Sequence, residues 1–448
     1  MRLMKKFIAV LMLFMVAAWA TNASAATVYW YGTVDNNWEN GLNWSTTPNL
    51  PGAAADCMIS GSGANKAILA ANSSFSIDDL YVGRNTAGEL DITGGNHTFT
   101  NRFRTVYGAT TPDSILNISG TTTISVPNSY STWGCEATTG DSDITISNSA
   151  SVTVDRLTLG QGWDSGYSVC SSGTTTLILE DSASLTLTLT DTTPASSGGV
   201  LRMGETTGGV YVTLNDSSVV TTECLTLGWF DDYGVRTNTN SPGLFKINDS
   251  AELHLTGSTL AAYGDSLGGG YEDMEDFPEI LLYKDTNGDD FGGRLEMNGG
   301  VFDLDGDETA RIEDMLRSYG DGTDLSDAYL TTSVSGKGLV GKYDSGNDKT
   351  NVFLCAPGDA NGDGYCDVSD LGILAGNYGQ TGDRIWMDGN FSQGSDWDVD
   401  VTDLGILAGV YGTQVGVYPT AAAAAVPEPS TLCLLAVGAL ALVWRRRK

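Results

Sequence analysis

Residues 177–188 read LILEDSASLTLT, and residues 245–255 read FKINDSAELHL. In both, apolar and polar side chains alternate, a short Asn/Asp/Ser turn intervenes, and the alternation resumes. The same phrase recurs as LDITGGNHTFT (90–100), LNISGTTTISV (116–126), ITISNSASVTV (144–154), VTLNDSSVVTT (212–222) and, more weakly, LEMNGGVFDL (295–304). Period-two alternation rich in Thr, Val, Ile and Leu specifies strands, and Gly, Asn and Ser clusters specify turns. The apolar residue just before each turn segment is Ile92, Ile118, Ile146, Leu179, Leu214, Ile247 and Met297, at spacings of 26, 28, 33, 35, 33 and 50. A second phrase accompanies several copies: LYVGR (80–84), LTLGQ (157–161), LRMGE (201–205) and LTLGW (225–229). Helical periodicity is absent from this region.

One such unit cannot bury its own apolar face, so neighbouring copies must stack. The expected fold is mainly β: a parallel β-helix, or solenoid, over residues 60–306, with an antiparallel sandwich or barrel as the competing arrangement. Loops such as Tyr130–Asp143 and Asp231–Pro242 leave the coil and account for the uneven spacing. Open solenoid ends are adhesive sheet edges and need caps. Residues 26–59, with Trp30, Trp38 and Trp44 followed by Pro51 and Asp56, form the expected N-terminal cap. This NW…NW…P…D…I opening resembles that of exported, autotransporter-like β-helix proteins. At the other end, residues 307–355 form the expected C-terminal cap. DGDETARIEDMLRSYG (305–320) reads there as a helix with Asp305 capping its start, Glu308 three residues on, an apolar face of Ile312, Met315, Leu316 and Tyr319, and Gly320 ending it.

The chemically strongest stretch is DANGDGYCDVSDL at 359–371. It follows the EF-hand-type calcium pattern. Asp359, Asn361 and Asp363 supply side-chain oxygens at positions 1, 3 and 5, and Gly364 permits the turn at position 6. Tyr365 offers its carbonyl at 7, Cys366 points inward at 8, Asp367 stands at 9 and Asp370 closes the loop at 12. The following LGILAGNYG (371–379) returns as LGILAGVYG (404–412). Aligned on those helices, Asp400 matches Asp367 and Asp403 matches Asp370. Asn390, Ser392 and Asp396 then match positions 1, 3 and 5, with two inserted residues and Trp397 in place of the glycine. Asp398 is a further oxygen ligand of this degenerate loop, and Asp388 an alternative first ligand.

Two loop–helix units in tandem over 356–414 resemble a type I dockerin module. The resemblance implies Ca2+ as cofactor and docking onto cohesin domains, with Val368, Ser369, Val401 and Thr402 at the positions that help choose the partner. That family is often attached to polysaccharide-degrading enzymes. A calcium-stiffened spacer is the plainer alternative. Two other acidic runs, Asp285/Asn287/Asp289 and Asp303/Asp305/Asp307, lack the glycine and following helix in register. Helix capping explains the second.

Residues 1–25 read as a signal peptide: Arg2, Lys5 and Lys6, an apolar run from Phe7 to Ala20, and Ala23-Ser24-Ala25, with cleavage after Ala25. Residues 415–426 read as a linker. Residues 427–448 begin Pro427-Glu428-Pro429, continue as an apolar run and end RRRK. Basic residues after an apolar run stay cytoplasmic, which leaves the solenoid outside the inner membrane. The run is short for a permanent span, which favours a transient processing signal. The set resembles the PEP-CTERM sorting signal. It implies an exosortase-type peptidase as partner, a Gram-negative surface location on the outer-membrane side, and a link to surface polysaccharide.

The net charge of −32 belongs to the whole chain; without signal and tail, 16 basic and 54 acidic residues remain, a net of −38. Such a surface repels nucleic acid and anionic membrane and favours divalent cations, so membrane contact is expected only through the signal and tail segments. Seven cysteines include no C-x-x-C, which argues against zinc or redox chemistry; export permits disulfides, and buried thiols are equally consistent. Catalytic candidates are sparse. Asp155, Arg156, Glu180 and Asp181 lie near rung ends and read more simply as turn residues, and the only histidines, His97 and His254, fall in separate repeats. The expected function is that of an exported, calcium-binding surface or matrix structural protein. A carbohydrate-active β-helix enzyme (lyase or glycoside hydrolase) carrying a dockerin is the alternative, and a polysaccharide-binding adhesin the third reading.

Overall fold

The computed structural model describes residues 26–46, 48–60, 65–70, 73–84, 86–107, 113–134, 140–160, 173–188, 199–203, 209–227, 243–256, 280–282, 293–317, 329–382, 384–392 and 397–416. The signal peptide with Ala25, Asp396, the Asp285/Asn287/Asp289 run, Tyr319 and Gly320, the Asp231–Pro242 loop and the tail with Pro427, Glu428 and Pro429 lie outside the described residues. The chain is mainly β and divides into two compact units, Met1–Gly300 and Val301–Lys448.

Two parallel sheets build the first unit. One carries, in lateral order, Ala26–Tyr29, Ala55–Ile59, Ser74–Arg84, Asn96–Tyr107, Thr123–Trp133, Ser151–Leu159, Ser184–Leu187, Val219–Thr222 and Glu252–Leu255. The other carries Ala67–Leu69, Gly88–Ile92, Ser114–Ile118, Ser142–Ile146, Thr175–Leu179, Val210–Leu214, Gly243–Ile247 and Arg294–Met297. From Ala67 on, the two halves of each repeated phrase fall on different sheets. The seven residues before the turns form one in-register ladder, Ile92–Ile118–Ile146–Leu179–Leu214–Ile247–Met297, all fully buried. Facing apolar positions Ile124, Val152, Leu185, Val220 and Leu253 form a second buried ladder on the other sheet. Each buried Leu or Ile is worth about 1.5–3 kcal/mol. The ladders therefore explain why this residue class returns at this position in every copy.

The second phrase is a separate strand position. Ser151–Leu159 pairs through its first half with Ser184–Leu187 and through its second half with Val200–Met203, with a register shift between Val154 and Arg156. Val200–Met203 then pairs with Cys224–Leu227, so Leu157, Leu201 and Leu225 stack. At the turn, Asn148, Asp181, Asp216 and Asp249 all adopt left-handed backbone (φ 53–61°), the conformation Gly120 takes at the equivalent place. Asn and Asp tolerate this region best among residues other than glycine. Their side chains also stitch the copies: Asp181 accepts from the Asn148 amide (2.9 Å), Asp216 from Asp181 (3.1 Å) and Asp249 from Asp216 (3.2 Å).

Trp30, Trp38 and Trp44 are buried at the start of this unit, edge to face at 5.2 and 4.6 Å. The Trp38 amide donates to Ile68, and that of Ile68 to Asn36, so the aromatic segment extends the edge formed by Ala67–Leu69.

The second unit begins with an antiparallel sheet of Val301–Asp305, Lys349–Cys355 and Gly338–Asp344. Helix α1 spans Thr309–Leu316 and buries Ile312, Met315 and Leu316. The expected Asp305 cap is corrected: Asp305 ends a strand, and its carboxylate lies 3.7 Å from Lys349. Asp307 instead accepts from the Thr309 hydroxyl (2.9 Å) and amide (3.4 Å), and Asp303 pairs with Lys349 at 2.7 Å. Helices α2 (Val368–Asn377) and α3 (Val401–Val410) follow, and Tyr365–Cys366 pairs antiparallel with Thr413–Gln414. Val340, Phe353 and Cys355 of the sheet share one buried core with Cys366, Leu374, Trp386, Phe391, Val399 and Leu407. A Cβ on Gly338 would meet the Trp386 ring at 2.0 Å, so the strand admits the indole only at a glycine. Cys57, Cys224, Cys355 and Cys366 are buried and stand outside any disulfide; Cys135, Cys170 and Cys433 lie outside the described residues.

Candidate metal centre

The loop at 359–370 is closed by hydrogen bonds that its own carboxylates accept. Asp359 is fully buried; its Oδ2 accepts from Gly364 (2.9 Å) and its Oδ1 from Asp363 (3.2 Å). Asn361 Oδ1 accepts from the Asp363 amide (3.0 Å), and Asp363 Oδ1 from Tyr365 (2.9 Å). Gly364 makes the turn at φ 87°. Asp367 caps α2, accepting from Ser369 (2.7 Å). Asp370, also fully buried, reaches back across the loop: Oδ1 accepts from Ala360 (2.8 Å) and Asn361 (3.3 Å), and Oδ2 from Asp367 (2.9 Å). Outside the loop, the Trp386 indole N–H donates to the Asp359 carbonyl (2.9 Å).

The second loop repeats the closing bonds. Asp403 Oδ1 accepts from Phe391 (2.7 Å) and Ser392 (2.9 Å), and its Oδ2 from Asp400 (2.9 Å). Asp400 caps α3 through Thr402 (2.6 Å). Asn390 occupies the Asp359 position, fully buried, with its amide nitrogen donating to Arg384 (3.0 Å). Ser392 Oγ donates to Asn390 Oδ1 (3.3 Å), and Asp398 accepts from Gly382 (3.1 Å). Asp388, the alternative first ligand, is engaged elsewhere: its Oδ2 accepts from Arg317 (2.8 Å) and from the Ile385 amide (3.1 Å).

The two loops differ in charge where they matter most. Loop one buries two carboxylates, Asp359 and Asp370, whereas loop two buries Asp403 opposite a neutral amide. Burial, and after it the like charge of Asp359, holds the Asp370 carboxyl above its usual range against three backbone donors that favour the anion. Burial, with Asp370, Asp359 and Asp367 nearby, pushes the Cys366 thiol up to about 11, so this sulfur stays protonated at neutral pH. The donor set of loop one is all oxygen, which suits a hard cation such as calcium better than zinc or copper.

Val368 and Val401 stand at equivalent, strongly exposed places (68% and 66%), with Ser369 and Thr402 exposed beside them. Tyr378 and Tyr411 repeat the exposure at the helix ends. The other sequence candidates do not converge. Asp155 is buried in the first unit, Asp181 serves the turn ladder, His97 is buried with Nε2 2.8 Å from the Gly94 carbonyl, and His254 pairs with Glu252 at 2.9 Å. What the sequence did not single out is Trp386, which binds loop one from a distant segment.

Residues 425–448 match the PEP-CTERM protein-sorting motif. The chain is therefore an exported, cell-envelope-associated protein bearing the signal of an exosortase-type processing enzyme. Among curated proteins and among solved structures, nothing matches this chain. Among the described residues, no helix is long and apolar enough to cross a membrane.

Proposed function

We propose that this is a calcium-binding structural protein of the cell surface or extracellular matrix: a parallel β-helix followed in the chain by a dockerin-like module and associated with surface polysaccharide. The observation that carries the calcium reading is the matched closure of the two loops, with Asp370 and Asp403 each accepting from the three equivalent amides of its own loop and Asp367 and Asp400 each capping the first turn of the helix that follows. In loop one this closure brings two buried carboxylates together with Asn361 and Asp363, a concentration of negative charge that Ca2+ would neutralise. Loop two, with Asn390 for Asp359, is the weaker site.

The two parallel sheets and their unbroken apolar ladders support the β-helix. The twinned exposure of Val368/Ser369 and Val401/Thr402 supports a protein-docking face of the cohesin-binding kind. The polysaccharide association rests on the sorting motif. Titration calorimetry of the mature chain tests the calcium reading: Asp359→Ala with Asp370→Ala is expected to lower calcium affinity at least tenfold, and unchanged binding would refute it.

A further inference from the structure

A second acidic group lies in the first unit, built by strand stacking. Asp56 and Asp79 are register partners on adjacent parallel strands, so their side chains stand on one face a strand spacing apart. The ladder between Ser74–Arg84 and Asn96–Tyr107 shifts register between Ile77 and Asp79. Such irregularities re-aim side chains, and here two consecutive residues, Asp78 and Asp79, converge. One carboxylate oxygen from each of Asp56, Asp78 and Asp79 lies within 4.8 Å of the others.

Asp79 is only 5% exposed. Its Oδ2 accepts from the Tyr81 hydroxyl (2.8 Å), while its Oδ1 is shut away from solvent with no hydrogen-bond donor. A buried acceptor left in this state costs about 1–3 kcal/mol, and more when charged. Asp78 Oδ1 accepts from Thr100 Oγ1 (3.0 Å), and both Asp78 and Asp56 are partly exposed, which leaves a path for a cation and its waters. Arg84, Arg102 and Arg104 lower the local negative charge. Burial still holds the Asp56 and Asp79 carboxyls above their usual range.

We propose that Asp56, Asp78 and Asp79 form a divalent-cation site of the calcium class, with the buried Asp79 Oδ1 as its inner ligand. Three carboxylates from two adjacent strands supply an oxygen-only set, and the partly open side leaves room for the waters that complete six to eight ligands. In this position the cation ties the strand Ala55–Ile59 to the strand Ser74–Arg84. The site is separate in sequence and in compact unit from the loops at 359–403, and it stands or falls independently of them.

The test is equilibrium dialysis of 45Ca against the full mature chain and four variants: Asp56→Asn, Asp78→Asn, Asp79→Asn, and the loop variant Asp359→Ala/Asp370→Ala. Each single Asn substitution is expected to remove one calcium equivalent or weaken one site at least tenfold, and the loop variant is expected to retain that equivalent. If Asp79→Asn does not fold, the partly exposed positions 56 and 78 carry the test. Unchanged stoichiometry and affinity in the folded Asn variants would overturn the proposal. So would a protonated-carboxyl infrared band at neutral pH that is lost in Asp79→Asn and indifferent to calcium, because the buried oxygen would then hold a proton.

Discussion

Replacing Asp370 with Asn separates what the carboxylate does for the fold from what it does for a cation. The amide is the same size and can keep one oxygen toward Ala360 and Asn361, but its NH2 then faces the Asp367 amide, donor against donor. One bond to a charged acceptor, worth about 1.5–3 kcal/mol, is lost, and two are reduced to neutral strength at about 0.5–1.5 kcal/mol each. Removing the cost of burying the charge, and with it the smaller Asp359–Asp370 repulsion, offsets most of that loss, so the expected destabilisation in EDTA is about 1–2 kcal/mol. With calcium at a thousand times its dissociation constant, the wild type gains about 4 kcal/mol that the variant forgoes. Urea unfolding followed by tryptophan emission reads this directly, since Trp386 is buried in the same core. The expected result is a small gap between wild type and Asp370→Asn in EDTA and a gap several kcal/mol wider in calcium. Equal gaps in the two conditions would refute the assignment of Asp370 as a ligand.

Gly338→Ala should destabilise the second unit by about 2–4 kcal/mol, because the new methyl meets the Trp386 ring rather than a movable chain end; a urea midpoint within error of wild type would contradict this packing. Leu214→Ala, in the middle of the buried ladder, should cost about 2–5 kcal/mol, whereas exposed Ile115→Ala should cost under about 0.5 kcal/mol, both by thermal unfolding. Burial lowers the His97 pKa against a weaker opposing contact with the Gly94 carbonyl, so the unfolded chain takes up the proton first. Stability should therefore be full above pH ~6.5 and fall on acidification below it, by at most ~1.4 kcal/mol per unit, and His97→Gln should flatten that slope in unfolding at pH 7.5 and 5.5. The Asp370 carboxyl is raised, so calcium affinity of loop one should begin to fall at a pH above the ordinary carboxylate range; calorimetry at stepped pH checks the onset.

The ladder residues were legible because one physical demand, filling a shared interior, falls on the same position in every copy. Ile92 through Met297 could be picked out by spacing and alternation alone. The second phrase was visible but its role was not: Leu157, Leu201 and Leu225 form a separate stack only because the strand register shifts at Val154/Arg156, a backbone event with no sequence signature. The turn of loop one could be located residue by residue, since each position of the pattern has its own backbone requirement, Gly364 with its left-handed φ above all. Asp400 and Asp403 followed from the repeated helix. Asp305 is a strand residue and not the helix cap its local sequence suggests, because a strand partner and a distant lysine outweigh the local capping rule. Gly338 with Trp386, and Asp56 with Asp78 and Asp79, were hidden for the same reason: each grouping exists only after segments far apart in the chain are brought side by side.

The most direct measurement is a calorimetric calcium titration of the mature chain beside its Asp359→Ala/Asp370→Ala variant, with circular dichroism confirming that both are folded. Loop one as a cation site requires saturable binding in the wild type and, in the variant, loss or at least tenfold weakening of one equivalent. Identical isotherms, or no binding heat in the wild type, would contradict it.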